Sequence, residues 1–568
     1  MGYVLTFDME THDPAISQKR GAGWVYADFE VLGTAYKIDG QEPQFTTNND
    51  ELKEVVKNAR TLIAHNAQYD LGCLTRLGIP FNDKLLIDTA ILAKLFDNTM
   101  MRYNLDVLSA DFLGERKDYA LLEEAAAGLG IKKYMSNMRE LFRAAPDVVI
   151  RYAKKDVELT YKLSQWFKGQ LYTEALQLLP MYSDLLKMLT AARAKGVRID
   201  LERAARSADA LNALQDQYTE EFYQYCPGVN LESTKQLSAA FRELGLQPGV
   251  SDKGGDSVDS KWRSTQDHPA IAALDKAKKY QKLRREFVDG IIERSENGRL
   301  YPEINILGAI ETGRFSSSNP NIQQIPKRDE LATELIRSIF IPEDGETWYS
   351  LDFSSQEPRL QVHYAYLAQC SGSALLRQSF LTNPQHDLHQ QVADLAHVDR
   401  KTAKTINLGI SYGMGVKKLA AALKLDETNA RRLIKQYNEL TPYLNQLNKA
   451  VQDAGMKKGY IKTLLGRRLA MDFEKPYKAL NKLIQGSAAD QTMMAMVQAY
   501  REGLSIGFSV HDELVLSSAT PLDAIRLKRI MESVIPLSVP AHTDIMEGSS
   551  WGDQKPLDIS QYIIPGEE

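Results

Sequence analysis

Two sets of carboxylates in this chain have the types and spacing for metal chemistry. Asp8 and Glu10 are two apart in YVLTFDMETH. On a strand that spacing projects both side chains from one face of the sheet. Asp70, in NAQYD, adds a third carboxylate, and Asp156 follows Tyr152 by four residues in a helical pattern, so the two are neighbours on one helix face. Four carboxylates brought to one point repel unless cations lie between them, and hard divalent ions with oxygen ligands suit that place. Two such ions would activate water and stabilise the leaving oxygen of a phosphodiester. The second set is Asp352, near the end of the alternating run 348–353, and Asp512 in VHDE. Apolar residues on both sides of His511-Asp512 predict a hairpin with the acid at its tip. Two aspartates on strands of one sheet would hold two Mg²⁺ ions, one lowering the pKa of a hydroxyl nucleophile and the other neutralising a triphosphate.

A third pattern is cationic. In DRKTAKTINLGISYGMG (399–415), Arg400, Lys404, Leu408 and Tyr412 are each four apart. A four-residue step drifts only slightly around a helix, so the four side chains share one slowly winding stripe. That face would hold phosphates at one end and a planar base at the other.

The elements that must carry these groups follow from the pattern of the chain. Residues 1–40 read as strands, with Trp24-Val25-Tyr26 opening a short apolar run. Helical periods dominate from about 50 to 170, including a long helix from Asp147, and its end runs almost directly into the next helix. Residues 180–300 are mostly helical, with breaks at CPGVNLEST and QPGVSDKGGDS. From 345 strands and helices alternate again: WYSLDFS and GFSVHDELVLS read as strands, and 387–398, 400–412, 427–438 and 475–502 as helices.

The chain has 568 residues, 43% hydrophobic and 25% charged, enough for roughly three or four domains. Cys73, Cys226 and Cys370 lie far apart without a C-x2-C spacing, which argues against a structural zinc site or a disulfide framework and fits a reducing cytosol. No secretory signal and no membrane-length apolar run is read, so the expected location is cytoplasmic. Net charge is −5, so a nucleic-acid face must be local. Two basic stretches qualify: Lys276, Lys278, Lys279, Lys282, Arg284 and Arg285, and Lys457, Lys458, Lys462, Arg467 and Arg468.

The spacing R-x3-K-x7-Y-G resembles the fingers helix of family A DNA polymerases, the bacterial DNA polymerase I group. TGRFSSSNPNIQQIP (312–326), DFSSQEPRL (352–360), HDLH (386–389), GRR (466–468), QGSAAD (485–490) and VHDE (510–513) resemble that family's blocks in their order. D-x-E, NAQYD and Y-x3-D, in order over roughly 1–170, look like the motifs of DEDD-type 3′–5′ exonucleases in the variant with tyrosine. The resemblance implies a multidomain α/β protein: a ribonuclease H-like exonuclease domain at 1–170, then a right-hand polymerase domain at 171–568. Within the latter it implies a thumb at about 180–300, a palm at about 301–380 and 440–568, and fingers at about 381–440.

The same resemblance implies roles. Asp8, Glu10, Asp70 and Asp156 would be metal ligands, and Tyr152 would orient the attacking water. Asp352 and Asp512 would hold the polymerase metals beside Glu513. Arg400 and Lys404 would contact the triphosphate with His389 assisting. Tyr412 would flank the templating position, and Leu408 would face the incoming sugar. Glu357 would crowd the sugar 2′ position. Arg314, Gln485 and His511 would contact primer, template and minor groove, and Lys278, Lys279 and Lys282 the duplex backbone. Two Mg²⁺ ions per centre, with Mn²⁺ able to substitute, primer-template DNA and dNTPs are the implied partners, phage or host replication proteins are further ones, and the chain is expected to be a monomer. Departures are DFSSQEPR where the family pattern is close to DYSQIELR, placing Pro358 after Glu357, and Leu408 where phenylalanine or tyrosine is usual. Pro358 fixes a backbone angle and is expected to shift the start of its helix. No room is read for a 5′-nuclease domain before Asp8 and no long thumb insertion, which resembles phage enzymes. Two rival readings are an exonuclease whose C-terminal part only binds DNA, and a single-subunit RNA polymerase, which would lack the proofreading block.

Overall fold

The alternating run at the N-terminus forms a ten-residue strand, β1 (Tyr3–His12), in the computed structural model of the chain. The structure describes residues 2–562 except Ile310, Arg328, His397 and Gly413; the side chains of Leu395, Ala396, Lys401, Leu408, Ser411 and Leu440 also lie outside the described set. β1 is central in a five-stranded sheet ordered β3-β2-β1-β4-β5, with β2 (Glu30–Ile38), β3 (Gln44–Thr46), β4 (Ala59–Ala64) and β5 (Leu85–Asp88). It pairs antiparallel with β2 and parallel with β4. The helical reading of 50–170 missed β4 and β5. Their segments, ARTLIA and LLID, are short and largely buried, and parallel strands covered on both faces carry no period-two pattern. The run at Trp24 is a 3₁₀ turn, Gly23–Val25, and not a strand; Asp13 Oδ2 accepts the Gly23 N–H at 2.7 Å and bends the chain there.

Helix α1 (Gln68–Arg76) follows β4, and α2 (Pro146–Gln170) packs on β1 and β2. Proline opens α2 because the first helical N–H needs no intrahelical partner. As expected, α2 leads through a short helix, Thr173–Gln177, almost directly into α3 (Leu179–Lys195). Helices α4 (Leu201–Tyr223) and α5 (Pro269–Lys282) pack together farther along, and the second Pro/Gly break becomes a small hairpin, Gly249–Val250 with Asp256–Ser257.

A second five-stranded sheet, wholly antiparallel, is ordered β7-β8-β6-β9-β10, with β6 (Thr347–Phe353), β7 (Ile506–Val510), β8 (Glu513–Ser518), β9 (Thr543–Gly548) and β10 (Gln554–Pro556). Helix α10 (Ala479–Arg501) packs on β7, and α6 (Gln356–Leu367), α7 (Leu388–Ala396), α8 (Arg400–Ser411) and α9 (Glu427–Leu440) lie between β6 and α10 in sequence. Among the described residues no helix is long and apolar enough to cross a membrane, and the three cysteines are free and buried.

The main core runs from Leu5, Phe7 and Leu62 of the first sheet, through Leu185 and Leu186 of α3, to Phe508, Leu514 and Trp551 at the second. A separate core joins α6 to α10 through Leu360, Val392, Ile406, Leu433, Tyr437 and Ile484. Polar ties reinforce the seam between the sheets: Arg193 donates to Ala22 O at 2.6 Å, and Asn98 Oδ1 accepts the Ala470 N–H at 2.8 Å.

Three members of the second basic stretch serve the fold. Arg468 lies 4.0 Å from the centre of the Tyr172 ring, and Lys462 pairs with Glu174 at 2.7 Å. Arg467 is buried and pairs with the buried Asp490 at 2.5 Å, while its guanidinium also donates to Gly486 O at 2.8 Å and Thr312 O at 3.4 Å. Gly313 (φ +76°) passes so close that a Cβ there would lie 2.1 Å from Arg467 Nη1. One ion pair therefore fixes the backbone that presents Arg314.

Breaking a buried pair leaves an uncompensated charge and costs about 3–5 kcal/mol. Asp490→Ala is expected to lower the unfolding transition by that order in calorimetry or denaturant titration. An unchanged transition would show that the pair does not hold this region.

Candidate active sites

The first centre is assembled from three elements. β1 presents Asp8 and Glu10 on one face, with a register shift against β2 just after Glu10. Asp70, in the first turn of α1, accepts the Met9 N–H at 2.9 Å and so sits against the backbone between them. The turn into α1 is set by Asp88, whose carboxylate accepts the N–H groups of Asn66 and Ala67, both at 2.9 Å. α2 supplies Tyr152 and Asp156, both buried.

Crowding governs the electrostatics. Burial, then repulsion from Asp156, pushes Asp8 up to about 7. Burial and the neighbouring carboxylates also raise Glu10, Asp70 and Asp156. A residue outside every motif offsets this charge: Lys117 Nζ lies 2.6 Å from Asp156 Oδ2. Burial opposes its charged form, but Asp156 and Asp8 outweigh that and raise its pKa. Asp156 Oδ1 is buried and, among the described residues, has no hydrogen-bond partner.

The second centre lies in a cleft of about 990 Å³ between the second sheet and α6–α8. Asp352 on β6 is opposite Glu513 on β8, and Asp512 occupies the two-residue hairpin turn between β7 and β8, as the sequence predicts. His511 precedes it with φ +58°, a left-handed conformation that only the surrounding turn sustains. Burial, then repulsion from Asp352, raises Asp512 to about 7. Lys327 Nζ bridges Asp352 Oδ2 at 2.5 Å and Glu513 Oε2 at 3.1 Å. Trp551 donates to Glu513 Oε1 at 2.8 Å, which fixes the acid from behind. Asp352 Oδ1 is a second buried carboxylate oxygen without a hydrogen-bond partner among the described residues.

Arg400, Lys404 and His389 line the same cleft. α8 turns Ala403 and Ile406 into the core, which leaves the stripe of Arg400 and Lys404 toward the cleft. Arg400 is held by Asp387 at 2.6 Å. His389 is buried and lowered to about 4, first by burial and then by Lys404, so it is neutral; its Nδ1 is 3.0 Å from Asn407 Nδ2. Glu357 receives hydrogen bonds from Arg314 and from the Tyr412 hydroxyl. Pro358 does not displace the helix start as expected. It lies in the first turn of α6, which begins at Gln356, where the missing N–H is not needed.

Matches to known proteins agree with this arrangement. The model of DNA polymerase family A matches residues 202–553, and that of a 3′-5′ exonuclease matches residues 2–172. The chain belongs to the family A DNA polymerases. A DNA-directed DNA polymerase of Pseudomonas phage M6 is 31% identical over 86% of this chain and 83% of its own length. The DNA polymerase DpoZ of Acinetobacter phage SH-Ab 15497 is 26% identical over 83% of this chain and 84% of its own. In fold the polymerase resembles the POL domain of Pol1 from M. smegmatis, solved in complex with DNA primer-template and dNTP: TM-score 0.79 and 23% identity, over 97% of this chain and 96% of that one. This polymerase therefore carries a 3′–5′ exonuclease domain ahead of its synthetic domain.

Other expected contacts are less gathered. Gln485 is half-buried on α10. Lys278, Lys279 and Lys282 pair with Glu232 (3.5 Å), Asp329 (2.5 Å) and Glu286 (3.7 Å). Leu408 lies on α8 in sequence, but its side chain is outside the described residues. Lys117, Lys327, Asp387 and Trp551 were missed by sequence reasoning. Lys327 directly follows the IQQIP block and Asp387 lies inside HDLH, so both had a positional signal; Lys117 and Trp551 had none.

The donor sets fit divalent ions: clustered carboxylates, with one unpartnered buried oxygen in each centre. Among the described residues no three acidic, histidine or cysteine side chains already form a metal cage. Ions entering either centre must displace protons from Asp8 or Asp512, both raised to about 7. Mn²⁺ affinity, read by electron paramagnetic resonance, is therefore expected to weaken from pH 8 to pH 6, by up to about tenfold per pH unit for each proton displaced. Metal-free stability has the opposite sign. Raised carboxylates bind more protons folded than unfolded, so their contribution is complete below about pH 4 and is lost as pH rises through about 7. An affinity independent of pH would contradict these assignments.

Proposed function

We propose that the polymerase copies a primed DNA template from dNTPs at the Asp352–Asp512 centre and removes mispaired 3′ ends at the Asp8–Glu10–Asp70–Asp156 centre. The observation that carries this reading is the 990 Å³ cleft, where carboxylates, cations and Glu357 converge. In it Asp352, Asp512 and Glu513 form the acidic floor, and Arg400 and Lys404 are the cations that bind and orient a triphosphate, with neutral His389 donating from the side. Tyr412 and Arg314 hold Glu357 against the sugar pocket. His511, Arg314 and Gln485 test pair geometry from the minor groove, whose acceptors are similar for all correct pairs. Lys278, Lys279 and Lys282 exchange their carboxylate partners for duplex phosphates. At the other centre Tyr152 orients the attacking water. Mg²⁺, two ions per centre and replaceable by Mn²⁺, supplies the charge that activates the attacking oxygen and stabilises the leaving one.

The domain reading is an exonuclease at 1–170 and a polymerase at 171–568, with thumb 180–300, palm 301–380 and 440–568, and fingers 381–440. The phage relatives support a role in phage DNA replication. The proposal extends to the bacterial cytoplasm as its place and to a monomer that engages primer-template DNA and the replication proteins of phage or host.

The two centres are expected to separate. On a primed template, Asp352→Ala or Asp512→Ala should abolish extension yet still shorten primers without dNTPs, and the Asp8→Ala/Glu10→Ala double variant should do the reverse. Near-normal shortening by the double variant would remove the exonuclease assignment. Glu357→Ala is expected to raise ribonucleotide incorporation relative to deoxyribonucleotide. A 2′-OH left unpaired or excluded costs on the order of 1–3 kcal/mol, roughly five- to 150-fold in selectivity. An unchanged ratio in steady-state incorporation would show that Glu357 is no gate.

A further inference from the structure

We propose that Lys117 is a positioning residue of the exonuclease centre: a tethered cation that stands in for a divalent ion among the carboxylates and must be displaced when one binds. The proposal rests on the reading of Asp8, Glu10, Asp70 and Asp156 as metal ligands.

The geometry is specific. The Lys117 side chain is 16% exposed and its ammonium lies 2.6 Å from Asp156 Oδ2, on a side chain that is 3% exposed. The same ammonium lies 4.9 Å from the centre of the Tyr152 ring and 5.4 Å from that of Tyr119. Lys117 is thus in contact with both functional residues of α2, and its charge also acts on Asp8 and Glu10. A metal ligated by either oxygen of Asp156 would lie about 2.0–2.6 Å from that oxygen and within a few ångströms of the ammonium, so the two cations repel each other and compete for one carboxylate.

The loop that delivers Lys117 is anchored on both sides. Asp106 accepts the Lys117 N–H at 3.1 Å and pairs with Arg116 at 3.0 Å. Glu115 is bound by Lys155 and, at 2.8 Å, by Lys162, both on α2. The backbone is therefore fixed to the helix that carries Asp156. Only the four-carbon stem must move for the ammonium to withdraw along the tyrosine faces. In the polymerase centre Lys327 makes the comparable bridge, but its side chain is 54% exposed and free to swing into solvent. Displacing the buried lysine is the harder step.

The test is Mn²⁺ binding, followed by electron paramagnetic resonance on the full chain carrying Asp352→Asn and Asp512→Asn, so that only the exonuclease centre titrates. In that background Lys117→Met is expected to tighten the Mn²⁺ dissociation constant about tenfold or more, as loss of a unit charge at contact distance implies. It should also lower the melting temperature without metal, a deficit that Mn²⁺ removes. Lys117→Arg, which keeps the charge, should retain the weaker binding. An unchanged or weaker Mn²⁺ affinity in Lys117→Met overturns the proposal. So does a Lys117→Met protein that stays unfolded in saturating Mn²⁺, because an ion taking the lysine's place must restore it. A protein unfolded without metal and folded with it supports the proposal. If adding Asp8→Ala and Glu10→Ala leaves Mn²⁺ binding unchanged, the metal-ligand reading itself fails.

Discussion

Repulsion between carboxylates held close together is the constraint on which both centres depend. Two like charges about 4 Å apart repel by about 4 kcal/mol at the effective dielectric near a protein surface, and by more where water is excluded. The chain nevertheless sets Asp8, Glu10, Asp70 and Asp156 around one strand, and Asp352, Asp512 and Glu513 around one hairpin. Cations answer that repulsion: a lysine in each centre, and protons on the raised carboxylates. A scaffold that tolerates such crowding must be stiff elsewhere. The continuous core from the first sheet through α3 to the second, and the Arg467–Asp490 pair under the Arg314 loop, give it that stiffness.

The two centres differ in how their carboxylates are reached. In the first, Lys117 and Asp156 are nearly covered, and Asp70 is fastened to the backbone between the other two acids. In the second, the lysine and Asp352 are about half and one third exposed and open onto a cleft wide enough for a nucleotide and a template base. The cleft is lined from both sides: acids from the sheet, cations from α8. The helices that carry those cations are packed into a separate core, that of α6 to α10.

Much of this was legible in the sequence, and the reasons are particular. The alternation around Asp8 and around Asp352, and the apolar flanks of His511-Asp512, encode strands and a tight hairpin directly, because a half-buried strand must alternate. The four-residue steps of α8 encode its two faces in the same way. β4 and β5 were not legible, since a buried parallel strand has no polar face to mark it. Pro358 looked disruptive because sequence alone does not show that it falls in a helix's first turn. The structural roles of Arg467 and Arg468 were not legible, because a basic run looks the same whether it meets phosphate or folds back on Asp490 and Tyr172. Lys117 was invisible: its partner is 39 residues away, and nothing in GERKDY marks one cation above its neighbours.

The lysine ammonium groups seated among the carboxylates stand where divalent ions are proposed to bind. Anomalous diffraction from crystals soaked in Mn²⁺ tests this most directly. The expected result is Mn²⁺ density between Asp352 and Asp512 and among Asp8, Glu10 and Asp156, with Lys117 and Lys327 withdrawn from Asp156 and Asp352. Density absent from both clusters, or lysines unmoved beside fully ligated ions, would contradict it.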